Sequence, residues 1–383
     1  MQDPTSPQIE YVADGAIGKI ASILGDLQPR SLFLVADPVA YGNSGAEAAL
    51  ESVLAPFAVR QFTEFHCDPK LPDVRRGIDR FRQDDVDAVL AVGGGSALDV
   101  AKLVSNLGVQ QESAEQLVRG TAQLQRDGPP LIAVPTTAGT GSEATHFAVC
   151  YIDGEKYSLA DPFLLPEYAI VDPQLTHSLP PRLTAASGLD ALCQAVESLW
   201  AVGSNDESVR PATAAARLAI EHLAAAVNAP TPADRAAMSR AAHLAGQAIN
   251  ISKTTAPHAI SYAITSQAGV PHGLAVALTL IPILMYNAET TAADCTDPRG
   301  DDHVRSCVRT VTQLFGCATP GEAAAGIETL IRSVGGHTRL SEVDLHRDTD
   351  IQMLVDRVNT QRLSNNPRRI TPEVLRELLE GIR

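Results

Sequence analysis

The chain has 383 residues, enough for two domains that each bury a core. Apolar residues make up 45% of it, which excludes a globally disordered chain. The net charge of -15, with no dense Lys/Arg stripe, excludes general affinity for nucleic acid, yet one or two local cations could still hold a small anionic substrate.

Met1 to Pro7 is polar, and no apolar run reaches the roughly 18 residues of a membrane span, so a cytoplasmic protein without a membrane segment is expected. Six scattered cysteines with no C-x-x-C pair predict reduced thiols. Cys193 reads as a small buried hydrophobe.

Short β-type runs at Leu32 to Ala36, Phe57 to Phe62, Val86 to Val92 and Leu131 to Val134 alternate with helical patterns at Gly42 to Leu54, Pro72 to Gln83 and Ala97 to Leu107. That alternation predicts a mostly parallel sheet with helices on both faces. Ala148 to Ile152 and Lys156 to Leu159, joined by Asp153-Gly154, read as a hairpin. After Pro180-Pro181 the chain turns Ala- and Leu-rich with helical periodicity at Leu183 to Ala201, Val209 to Ala226 and Ala233 to Ile249. The boundary falls between about 175 and 182 by this change of period, and Asp294 to Asp302 is a polar loop. The expected division is an α/β dinucleotide-binding domain over 1–178 and an all-α metal- and substrate-binding domain over 179–383.

Gly93-Gly94-Gly95-Ser96 follows an apolar strand and opens a helix, where free N–H groups and close backbone approach suit a pyrophosphate. A plain turn is the alternative, and the run is not G-x-G-x-x-G. Pro135 to Glu143 also follows a strand. Its hydroxyls and amides, Thr136, Thr137, Thr140 and Ser142 among them, suit phosphate, ribose and nicotinamide amide groups, or an ordinary surface loop. Asp37 ends the first strand, where a carboxylate can accept from an adenosine ribose and repel a 2'-phosphate, favouring NAD(H), or can cap a turn before Pro38. Asp99 and Lys102 read as residues that fix the loop–helix unit rather than react, and Asp99 is counted among the cofactor-binding residues.

Asp190 and Gln194 share one helix face. His258 precedes a helix that should stop near Gly269, and a turn at Pro271 can bring His272 back to it. One carboxylate and two imidazoles suit a divalent cation such as Fe2+ or Zn2+ and leave a position for a substrate oxygen. The other histidines sit in no suggestive context. A metal and a nicotinamide together predict hydride transfer to or from a carbonyl.

The segments G-G-G-S-x-x-D-x-A-K (Gly93 to Lys102), P-T-T-A-G-T-G-S-E (Pro135 to Glu143), L-L-P-E-Y-A-I-V-D-P (Leu164 to Pro173), G-L-D-A-L (Gly188 to Leu192) and P-H-G (Pro271 to Gly273) occur in one order. Over nearly its whole length the chain resembles the iron-containing (group III) alcohol dehydrogenases. The resemblance implies the dehydroquinate synthase-like fold of that family, a site in the cleft between its two domains, and dimers or larger homo-oligomers. It also implies Asp, His, His, His as metal ligands, which carry over onto Asp190, Gln194, His258 and His272. Gln194 is a departure, and three roles are open to it: ligand, partner of a metal-bound water, or substrate contact. Tyr262 stands where the family's H-x-x-x-H has a second histidine, and its phenol either relays a proton or packs.

K-Y-S-L-A-D-P (Lys156 to Pro162), G-L-D-A-L-C-Q-A-V-E-S (Gly188 to Ser198), I-N-I-S-K-T-T-A-P-H-A-I-S-Y (Ile249 to Tyr262) and N-N-P-R (Asn365 to Arg368) resemble one subgroup, the phosphonoacetaldehyde reductases of phosphonate biosynthesis. This implies an NADH-dependent reduction, and Lys253, Ser252, Thr254 and Thr255, just before His258, offer a cation and hydroxyls that could hold a phosphonate, with His146 after the second loop as another contact. Lys253 as a mere surface cation, and another small alcohol, diol or phosphonate such as phosphonopyruvate as substrate, are the alternatives.

Overall fold

A computed structural model describes residues 7–358 and 363–383. The chain forms two compact units, one ending at Leu179 and the other beginning at Pro180.

The first unit holds strands β1 (Ile9–Val12), β2 (Ser31–Ala36), β3 (Ala58–Phe62), β4 (Ala88–Gly93), β5 (Leu131–Pro135), β6 (Phe147–Ile152), β7 (Glu155–Ala160) and β8 (Tyr168–Val171). Six of these make one parallel sheet in the order β1-β8-β5-β4-β2-β3, and β6 and β7 form the antiparallel hairpin. Side chains alternate across a strand, so β2 feeds two cores: Phe33 and Val35 pack on one face with Phe62, Phe81 and Val104, while Leu32, Leu34 and Ala36 pack on the other with Leu50, Leu90 and Ile132. Covered on both faces, β4 is buried along its whole length, which is why it reads as a continuous apolar run.

Helices α1 (Lys19–Leu27), α2 (Pro38–Asn43), α3 (Ala46–Leu54), α4 (Leu71–Phe81), α5 (Gly95–Gly108) and α6 (Ala114–Val118) fill the connections. The single helix expected over Gly42 to Leu54 is instead two, because Gly45 at φ +83 turns the chain between them. Strand β1, at the edge of the sheet, and β8, between β1 and β5, are not among the expected strands. Both segments hold β-type residues, Ile, Tyr and Val, but at four residues each is too short a run to stand out, and pairing of β1 with β8 and of β8 with β5 defines them.

The second unit is helical: α7 (Pro181–Trp200), α8 (Asp206–Asn228), α9 (Pro232–Ser252), α10 (Ala256–Ala268), α11 (His272–Ala288), α12 (Asp301–Leu314), α13 (Pro320–Ser333), α14 (Asp348–Arg357) and α15 (Pro372–Gly381). Helix α7 is buried almost all round, so its polar side chains Asp190, Gln194, Glu197 and Ser198 lie in the interior and need partners there. Gly269, left-handed at φ +65, caps α10, and Pro271 starts α11 with His272 as its first residue. Gly273 lets α11 meet α7 backbone to backbone: a Cβ there would collide with the Ala186 carbonyl and lie 2.8 Å from Asp190 Cβ. Among the described residues no helix is long and apolar enough to cross a membrane. A mostly parallel α/β unit followed by an all-α unit is the expected fold class.

Candidate functional site

In the first unit, β2 and β4 are neighbours whose chains leave in opposite directions, β2 toward β3 and β4 toward β5. Ligands of open α/β sheets bind beyond the carboxyl ends of strands at such a reversal. Asp37 follows β2 there, Gly93 to Ser96 follow β4, and Thr136 to Ser142 follow β5. The two glycine-bearing loops lie against each other. Thr136 N donates to Gly93 O at 2.9 Å, and a Cβ on Gly95 would come within 2.7 Å of the Thr140 methyl. Ser142 Oγ donates to Asp99 Oδ1 at 2.6 Å, and Val149 N donates to Oδ2 at 2.9 Å. Asp99 and Ser142 thus tie the loops together. Buried Lys102 anchors the foot of the hairpin through Thr145 O, Thr145 Oγ1 and Phe147 O at 2.8–3.1 Å. Burial, partly offset by Asp99 and Glu143, pulls its ammonium down to about 8. Asp37 caps α2, its Oδ1 accepting from Val39 N and Ala40 N. His146 stands just before β6 with its ring edge-on to Phe147.

In the second unit, one oxygen of Asp190 and one nitrogen from each of His258 and His272 lie within 4.8 Å of one another. Asp190 Oδ1 is 3.2 Å from His258 Nε2 and 3.8 Å from His272 Nε2. Asp190 and His258 are buried, but the His272 side chain keeps 33% of its surface, which opens the cluster on one side. One carboxylate and two imidazoles converging on a point fit a divalent iron or zinc ion with an open position. Gln194, one turn along α7, donates its Nε2 to Asp190 Oδ2 at 3.2 Å, which leaves Oδ1 to the imidazoles.

A second layer holds these groups. Glu197, seven residues after Asp190, takes the other nitrogen of His258, Nδ1, in a very short hydrogen bond. The same carboxylate accepts from Thr255 N at 2.8 Å and Thr255 Oγ1 at 2.9 Å, and Trp200 Nε1 donates to that hydroxyl. Burial alone would push His258 down, but the Glu197 and Asp190 carboxylates overcome it and hold the imidazolium up at about 10. Ser261 Oγ lies 3.4 Å from His272 Nδ1, and the Tyr262 ring stacks on His272 at 5.4 Å between centroids and 5° between planes. Cys193 is fully enclosed, and burial, reinforced by Glu197 and Asp190, drives its thiol well up and out of reactivity.

Glu197 and Ser261 are site residues that sequence reasoning passed over. Glu197 had a signal, since positions i, i+4 and i+7 share a helix face and Asp190, Gln194 and Glu197 follow that spacing. Of the residues expected to touch substrate, Ser252 is buried, with its hydroxyl on Ser198 Oγ, Ala248 O and Lys253 O. Lys253 is exposed and sits at φ +58, ψ 177, a conformation that costs a non-glycine residue about 1–3 kcal/mol.

A parallel sheet with nucleotide-type loops at its reversal, followed by a helical unit with a carboxylate–imidazole cluster, defines a metal-assisted dehydrogenase class. Residues 7–173 match the iron-containing alcohol dehydrogenase family and residues 184–382 match the family's C-terminal domain. The chain belongs to the iron-containing alcohol dehydrogenase family and is an oxidoreductase of that class. It is 38% identical over 325 residues to the phosphonoacetaldehyde reductase of Streptomyces viridochromogenes, covering 82% of this chain and 81% of that one. It is 29% identical over 387 residues to the sulfoacetaldehyde reductase of Bilophila wadsworthia, covering 96% and 95%. The sulfoacetaldehyde reductase of Bifidobacterium kashiwanohense, solved in complex with NAD+, superposes with a TM-score of 0.88 at 29% identity over 100% of this chain and 98% of that one.

Proposed function

We propose that this enzyme uses NADH to reduce a small aldehyde carrying an anionic head group to the primary alcohol, and that phosphonoacetaldehyde, giving 2-hydroxyethylphosphonate, is its substrate. The observation that carries this reading is the 38% identity to a phosphonoacetaldehyde reductase, supported by similarity to two reductases of sulfoacetaldehyde, another two-carbon aldehyde with an anionic head. The cofactor falls to Asp37, Gly93 to Ser96 and the Thr136 to Ser142 loop, with Asp99 bracing the loops from behind. The metal falls to Asp190, His258 and His272.

When bound, the nicotinamide supplies a hydride and the divalent cation supplies Lewis acidity at the carbonyl oxygen. The residues prepare for both. Glu197 fixes the His258 ring so that Nε2 points toward Asp190. Gln194 orients Asp190 from one turn away. Tyr262 holds the His272 ring flat against its own, and its phenol is the candidate for passing a proton from water to the product oxygen. The six free cysteines suit a reducing, cytoplasmic setting.

The test is NADH oxidation by iron- or zinc-reconstituted enzyme, comparing phosphonoacetaldehyde with acetaldehyde. A strong preference for the phosphonate supports the proposal. Equal or reversed preference removes it and leaves a general metal-dependent alcohol dehydrogenase acting on another small alcohol or diol.

A further inference from the structure

The residue least at ease in the second unit is Lys253. Its φ of +58 with ψ 177 is a conformation that glycine adopts freely and a residue with a Cβ adopts only under constraint. The constraint is complete. Lys253 N donates to Ile249 O at 2.9 Å, and its carbonyl accepts from Ser252 Oγ at 3.0 Å. Asn365 Nδ2 donates to the carbonyls on both sides, Ser252 O and Thr254 O, each at 2.9 Å. Asn365 Oδ1 in turn accepts from Gly203 N at 2.9 Å, and Gly203 has no side chain because a Cβ would lie 2.9 Å from Ser252 O.

A glycine would meet this turn without strain, so the turn itself gives no reason for a lysine. The turn abuts the metal cluster: Thr255, two residues on, is bound to Glu197, which binds His258. Asp190 takes the other nitrogen of that same imidazole, so the turn reaches the cluster through the His258 ring. Lys253 is exposed, and its ammonium has no ion-pair partner among the described residues. It is therefore available to an anionic ligand.

We infer that Lys253 is the specificity-determining residue of the site. It is kept in a glycine-type backbone conformation, with Asn365 as its positioning residue, so that its ammonium binds the anionic head group of the aldehyde. This rests on the proposed function for the identity of the substrate, but not for the existence of an anion site.

The experiment uses the metal-reconstituted enzyme and the variants K253Q, K253G and N365A. It reads the ratio of kcat/KM for phosphonoacetaldehyde over acetaldehyde, inhibition of acetaldehyde turnover by inorganic phosphate, and Tm. In both Lys253 variants the ratio is expected to fall about 10- to 100-fold, the loss of one charge-assisted contact. K253G should also raise Tm, because it relieves the backbone, whereas N365A should lower both the ratio and Tm. A wild-type ratio retained in K253Q and K253G overturns the inference. If the wild-type enzyme shows no preference for the phosphonate, the substrate proposal fails by itself and phosphate inhibition decides the anion site. Inhibition present in wild type and lost in K253Q sustains it, and inhibition absent from wild type or unchanged in K253Q overturns it.

Discussion

Glu197 and Asp190 grip opposite nitrogens of one imidazole, that of His258. Seven residues apart on the buried helix α7, the two carboxylates fix the ring's orientation and decide which nitrogen faces the cluster. Glu197→Gln should therefore weaken divalent-metal affinity about 10- to 100-fold while leaving the helical fold intact. Metal content after competition with a chelator, with circular dichroism as the control for folding, checks this. Unchanged metal retention would show that Glu197 does no more than fill space.

Metal loading should also depend on pH. His258 is held up at about 10 in the metal-free protein, so a cation must displace the proton from Nε2. Apparent affinity should rise steadily between pH 6 and 9, measured by titration against a chelator of known proton linkage. The sign for the metal-free fold is the opposite. Because the folded pKa is raised above the usual 6.5, the stabilisation by Glu197 and Asp190 is fully present below about 6.5 and is lost as pH climbs through about 10.

Gly273→Ala should be as damaging as loss of a ligand, although Gly273 touches no substrate. Its added methyl would run into the Ala186 carbonyl and crowd Asp190, forcing α11 off α7 and carrying His272 away from the cluster. A loss of roughly 1–3 kcal/mol or more in stability is expected, together with weaker metal binding. Thermal unfolding with and without added zinc would reveal both.

A separate pH effect belongs to the first unit. Glu167 is largely buried and accepts from Leu131 N at 2.7 Å, and burial pushes its carboxyl up to about 7. With the folded pKa raised from 4.5, its favourable state is fully present below about 4.5 and is lost as pH rises through about 7. Glu167→Gln keeps an acceptor for Leu131 N and removes the charge. It should stabilise the protein at pH 8 by an amount on the order of 2 kcal/mol, with little gain at pH 5. Chemical denaturation at the two pH values is the measurement, and equal gains would count against a buried charge.

Much of this protein is written locally. The strand–helix alternation, the glycine run after β4 and the helical period after Pro181 each depend on residues a few positions apart, as does the Asp190, Gln194, Glu197 stripe, and short-range spacing is what a sequence shows directly. The tertiary structure alone decided the rest. It paired β1 with β8 across more than 150 residues, tied Asp99 to Ser142, joined Glu197 to His258 and Thr255, and brought Asn365 onto the turn around Lys253. The physical reason is that a buried polar group takes whichever partner packing delivers. That partner can lie anywhere in the chain, so neither the strain at Lys253 nor the clamp that holds it has any mark in the linear sequence.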